Sequence, residues 1–239
     1  RQPVCEPSED LRRILRRTHP YMEAYTESSL KCTSFDQRSR YASPMIRWGR
    51  FAWAYALMGG VALALIWARG TPLVYPAPSR ALAAWWPGST LDAGSAHLSS
   101  LCGGLVFGLM VVALSRVTVQ RFEWARRLHR ELRPFALGLD RSGIVVLAVL
   151  SSAGEELLFR GLLQPWMGLL PQALLFGLVH QMPGPSRWVW VSWALCVGLA
   201  LGALYELTGS LLGPLVAHAL VNGLNLSFLK HHAPLAREA

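Results

Sequence analysis

After a polar stretch of fifty residues, the chain gathers its apolar side chains into six blocks. These are Phe51–Trp67, Leu101–Leu114, 143–166, 169–182, Trp188–Leu207 and Leu211–Leu229. Long runs of this kind are what a helix needs to cross the hydrocarbon of a bilayer, which takes ~20 predominantly apolar residues. The fourth block is short for a crossing and ends at Pro183-Gly184-Pro185, so it is expected to be tilted, partly unwound or re-entrant. The polar segments between the blocks are of two kinds. Residues 70–98 carry only Arg80 and Asp92 as charges, whereas 116–141 holds Arg116, Arg121, Arg126, Arg127, Arg130, Arg133 and Arg141. In that basic connector Phe122, Leu128 and Leu132 alternate with the arginines, which predicts a helix lying in the membrane interface. Glu9–Arg17 reads either as a second basic amphipathic helix or as part of a disordered tail.

The pattern gives an all-α fold, a polytopic transmembrane helical bundle of about six spans with interfacial amphipathic helices. Its organisation reads as an Arg-rich arm over 1–50, two spans and the basic connector over 51–135, a helical core over 136–230, and a short tail over 231–239.

Composition supports this reading. Of 239 residues 52% are hydrophobic and 15% charged, against roughly 25% charged in an average soluble domain. The net charge is +9, and Lys31 and Lys230 are the only lysines. A basic excess in a soluble chain would suggest nucleic acid. Here the arginines flank apolar blocks, where they face lipid phosphates and fix topology, so the expected partners are membrane lipids and not nucleic acid. With six crossings the arm, the connector, the Arg187 turn and the Lys230/Arg237 tail fall on one side, which the positive-inside rule makes cytoplasmic. Both termini are then cytoplasmic, in the inner membrane of a bacterium with GC-rich coding. The cysteines lack metal-ligand spacing. Cys102 and Cys196 are expected as small packing residues, and Cys5 and Cys32 as reduced thiols of the arm.

An ionisable group inside a bilayer costs about 2.5–3.5 kcal/mol on insertion scales and is a functional candidate by default. The C-terminal blocks hold few: Glu155, Glu156 and Arg160 on the third, His180 on the fourth, and His218 with Asn222 on the sixth. Glu206 is expected at an interface, and His19, His97, His129, His231 and His232 fall outside the spans without a role. Glu156 and Arg160 are four apart on one helix face and can pair. Glu155 lies about 100° around the helix, free to face a cavity and act as a base. His218 and Asn222 share a face that suits hydrogen bonding to an oxyanion, while Phe176 shares one with His180 and can wall the site. Each feature taken singly has a structural explanation, such as a Glu–Arg tie or an interhelical hydrogen bond. Their conjunction in the C-terminal blocks is what marks a functional centre.

Glu155-Glu156-Leu157-Leu158-Phe159-Arg160 resembles the EExxxR motif of the CPBP intramembrane proteases, the group of type II CAAX prenyl proteases and bacteriocin-processing, Abi-like proteins. Phe176–His180 resembles its FxxxH motif and His218–Asn222 its HxxxN motif, in the same order. The resemblance covers roughly 140–229 and leaves out the Arg-rich arm. It implies a glutamate-dependent endopeptidase in which Glu155 and His180 activate water and His218 and Asn222 hold the oxyanion. Glu156, Arg160 and Phe176 would support them. The implied substrate is a membrane-associated or lipidated polypeptide, with a further protein partner for the arm. No cofactor is expected. A Glu/His/His set could bind zinc, but Asn222 is a poor zinc ligand and a good oxyanion donor. Two other functions fit the same frame, a non-catalytic immunity or scaffold protein and a small transporter. Straight helices would also leave Glu155, His180 and His218 at different depths.

Overall fold

The computed structural model describes residues 48–70 and 93–233. The Arg-rich arm, Cys5, Cys32, the Glu9–Arg17 helix, most of the 70–98 loop and Arg237 lie outside them. The described residues form seven helices and no strand. They are α1 (Gly49–Ala68), α2 (Ala93–Arg121), α3 (Glu123–Leu137), α4 (Arg141–Met167), α5 (Leu169–Val179), α6 (Arg187–Thr208) and α7 (Leu212–His231). Helices α1, α2, α4, α6 and α7 are long and apolar enough to cross a membrane. This is an all-α polytopic bundle. Its outer surface carries Trp53, Leu57 and Trp67 on α1, Val106 on α2, Val145 on α4 and Leu170 on α5, all exposed. Such a surface is stable against acyl chains and costly against water.

Two boundaries differ from the expectation. The second span starts at Ala93 and runs unbroken to Arg121, so it absorbs the end of the 70–98 loop and the first arginines of the connector. The remainder of that connector is the expected amphipathic helix, α3. On it Arg130 and Arg126 donate to Glu123, each at 2.7 Å, and hold its carboxyl below the usual carboxylate range. Next, Asp140 caps α4: the Gly143 amide donates to its carboxylate at 2.6 Å and, with Ser142, lowers its pKa. The two cysteines expected to pack inside, Cys102 and Cys196, face outward instead. In lipid a thiol on either face is tolerated, so sequence alone gives its side no preference.

The bundle is assembled around α4, the most buried of the long helices. Close approach is set by glycine. A Cβ on Gly59 of α1 would stand 3.2 Å from the Gly154 Cα of α4. Between α2 and α7 the backbones nearly touch, since a Cβ on Gly213 would lie 2.2 Å from the Ser100 carbonyl oxygen. That oxygen cannot move aside as a side-chain tip could. Gly213→Ala is therefore expected to lower thermal stability by on the order of 3 kcal/mol through overpacking, read as a fall in Tm in detergent. An unchanged Tm would mean that the two helices are not so closely apposed.

Helix α5 is the expected short segment. Its 11 residues extend only ~16 Å, about half of the ~30 Å hydrocarbon. It turns back from α4 at Gly168, whose φ of 87° requires glycine. It stops before the Pro-Gly-Pro turn because the His180 ring takes the Phe176 carbonyl, at 2.6 Å, and the His180 amide shifts to the Gly177 carbonyl at 3.1 Å.

Candidate active site

The three motif-bearing helices meet at Glu155. Its Oε2 lies 3.5 Å from His180 Nε2 and 3.8 Å from His218 Nε2. The depth conflict foreseen from straight helices disappears for two reasons. Because α5 ends halfway, His180 lies level with the middle of α4. Because α7 begins inside the bundle, with Ser210 and Pro214 fully buried and Gly213 buried, His218 is carried inward.

Immediately after Glu156 the hydrogen bonding of α4 widens into a π-helical segment, Leu157–Leu163, before the helix resumes over Gln164–Met167. π-bulges recur at functional sites because they re-aim side chains without ending the helix. Arg160 sits in this segment with 0% exposure and donates to Glu156 Oε1 at 2.8 Å. Its other terminal nitrogen donates to the Gly198 carbonyl of α6 at 2.9 Å, and Gln164 donates to Gly202 on the same helix at 2.9 Å. The π segment is thereby tied to α6 by two side chains one turn apart. The expected Glu156–Arg160 pair is present.

Glu156 also has a second task that spacing did not disclose. The same Oε1 accepts from His218 Nδ1 at 2.7 Å. His180 Nδ1 faces a carbonyl oxygen, which can only accept, so this nitrogen carries the proton. Both imidazoles thus commit Nδ1 and turn Nε2 towards Glu155. The separations to Oε2 exceed a direct hydrogen bond. Phe176 lies between the rings, 4.4 Å from that of His180 and 5.9 Å from that of His218, with the Arg160 guanidinium 4.5 Å above its own face.

Beside this cluster lies a cavity of 510 Å³ whose walls include Glu155, His180 and Asn222. His218, 4% exposed, is not among the wall residues but stands behind Glu155. The expected His218–Asn222 face is therefore split by depth, since the bond to Glu156 draws the imidazole inward. Asn222 Nδ2 donates to Ser151 Oγ at 3.0 Å. Most of the wall is apolar and extends to α3, through Trp124, Leu128, Leu132 and Phe135. Phe51 and Tyr55 of α1, Ser115 and Thr118 of α2, Trp190 and Trp193 of α6, and Val221, Asn225 and Leu229 of α7 also line it.

Ser151, Tyr55, Ser115 and the α3 face were missed from the sequence. Serines in apolar helices satisfy themselves so readily that they give no signal, although the alternation of apolar and basic residues on α3 did indicate a buried side. His129, given no role, is buried and bonded to the His232 carbonyl at 2.9 Å, and His97 meets Ser210 at 2.8 Å. Neither joins the Glu155 cluster, although His129 lines the same cavity. Among the described residues, no group of three His, Cys, Asp or Glu is arranged to hold a metal ion.

A family model described as type II CAAX prenyl endopeptidase, Rce1-like, matches residues 139–224. The chain is 35% identical over 79 residues to YpbD, an uncharacterized protein of Bacillus subtilis (strain 168). That alignment covers 33% of this chain and spans 41% of the relative's length. No solved structure matches the chain.

Proposed function

We propose, from the match of residues 139–224 to the Rce1-like family model, that the chain is an intramembrane endopeptidase in which Glu155 activates water. The observation that carries the reading is the convergence of Glu155 Oε2 with two imidazole Nε2 atoms, at 3.5 and 3.8 Å, beside the 510 Å³ cavity. A water held between Glu155 and His180 donates one proton to each and keeps a lone pair for the substrate carbonyl. As the O–C bond forms, Glu155 takes a proton from that water. The carbonyl π electrons move to oxygen, and Asn222 donates to the resulting oxyanion from the cavity wall. Collapse breaks the C–N bond, and the proton held by Glu155 passes to the leaving amine. His218 acts from behind Glu155.

The long apolar reach of the cavity suits a substrate that enters from lipid, either a lipidated C-terminus or a transmembrane segment. Membrane lipids would surround the bundle, in a bacterial inner membrane with both termini cytoplasmic. The Arg-rich arm would serve a protein partner. Asn222 favours a metal-free mechanism over one built on zinc.

The test uses purified protein in lipid nanodiscs with two peptides. One ends in S-farnesylcysteine followed by three residues, and the other is a single apolar span without lipid. Cleavage of either at one bond, read by mass spectrometry, is the expected result, with turnover unchanged by 1,10-phenanthroline. Intact peptides would refute protease function. Loss of turnover with the chelator, restored by added zinc, would replace the metal-free mechanism.

A further inference from the structure

Two adjacent serines on α4 behave differently. Ser152 Oγ donates to the carbonyl of Ala148, four residues back, at 2.7 Å, the ordinary way a hydroxyl satisfies itself inside a helix. Ser151 makes no such bond among the described residues. Its recorded contact is as acceptor of the Asn222 amide at 3.0 Å, between helices that come from distant parts of the chain. Both partners line the cavity with Glu155, and Ser151 lies one turn before Glu155 on the same face.

The geometry points to Ser151 as a positioning residue that anchors the Asn222 amide, so that its nitrogen is held where it can meet the reacting carbonyl; this rests on the protease reading above. A primary amide has a donor end and an acceptor end of nearly the same shape. An oxyanion needs the donor end, and a flipped amide would place its own oxygen against the developing charge. In this arrangement Ser151 Oγ accepts one Asn222 N–H at 3.0 Å, which fixes where the amide nitrogen stands on the cavity wall. The second N–H of the same nitrogen is then left for the substrate oxygen. Ser151 therefore acts through Asn222 and need not touch the substrate itself.

A double-mutant cycle tests this on whichever peptide is cleaved, with kcat and KM measured separately. Ser151→Ala should lower kcat about tenfold, the worth of one hydrogen bond, and leave KM unchanged. Ser151→Thr, which keeps the hydroxyl, should recover most of the loss, and Ser152→Ala should leave kcat as it is. In the Asn222→Ala background, Ser151→Ala should add nothing, because there is no amide left to orient. If Ser151→Ala does not fold, Ser151→Cys, whose sulfur accepts weakly, takes its place in the cycle. Losses that multiply in the double variant, or a Ser151→Thr as slow as Ser151→Ala, would overturn the positioning role while leaving protease function intact. No cleavage by the unaltered protein would remove both.

Discussion

Glu155→Gln is expected to abolish peptide cleavage while the bundle stays folded. The substitution keeps the shape of the side chain and removes the site that takes the proton from water. A positioned general base contributes about 10²–10⁴ in rate, so the residual turnover should be at or below detection. Folding should be spared, because Arg160 forms its ion pair with Glu156 and not with Glu155. Glu155 is 7% exposed and its Oε2 has no hydrogen-bond partner among the described residues. A neutral amide is thus no harder to bury there than a carboxylate. Steady-state turnover measured alongside size-exclusion profile and Tm checks both halves of the expectation. Turnover comparable to the unaltered protein would deny Glu155 the role of base.

The largest effect on stability is expected from Arg160→Leu. The guanidinium is completely buried, bonded to Glu156 and Gly198 and stacked over Phe176. Its removal strands the Glu156 carboxylate in the bundle interior with only His218 beside it. Breaking a buried pair from one side costs on the order of 3–5 kcal/mol, mostly through the charge left behind. Replacing both partners, Arg160→Met with Glu156→Gln, should recover much of that loss, since a neutral pair leaves no uncompensated charge. Thermal unfolding in detergent distinguishes these outcomes. A single Arg160→Leu variant with unchanged Tm would show that neither the ion pair within α4 nor the bond from Arg160 to Gly198 of α6 is needed for stability.

The sequence carried the helical blocks, the short fourth segment, the interfacial helix and the polar residues that gather at Glu155. Those features are legible because lipid punishes polarity: Glu155, Glu156, Arg160, His180 and His218 each stand out from an apolar background. What lipid does not punish stays hidden. The faces of α1, α2 and α7 that meet acyl chains are as apolar as those that meet other helices, so no stripe says which side is inward. This is why Cys102 and Cys196 were placed on the wrong face, and why Tyr55 and Ser115 were not assigned to the cavity. The levels of His180 and His218 were also beyond helical arithmetic. They depend on where α5 stops and how deeply α7 begins, and those are set by a side-chain bond to Phe176 and by the backbone contact of Gly213 with Ser100.

A single-turnover cleavage in ¹⁸O-labelled water, with protein in excess over peptide, tests the mechanism most directly. Direct attack by solvent predicts one heavy oxygen in the new C-terminal carboxylate of the product and none in the protein. Label recovered in the Glu155 carboxyl, or a peptide trapped covalently on the protein, would instead make that side chain a nucleophile.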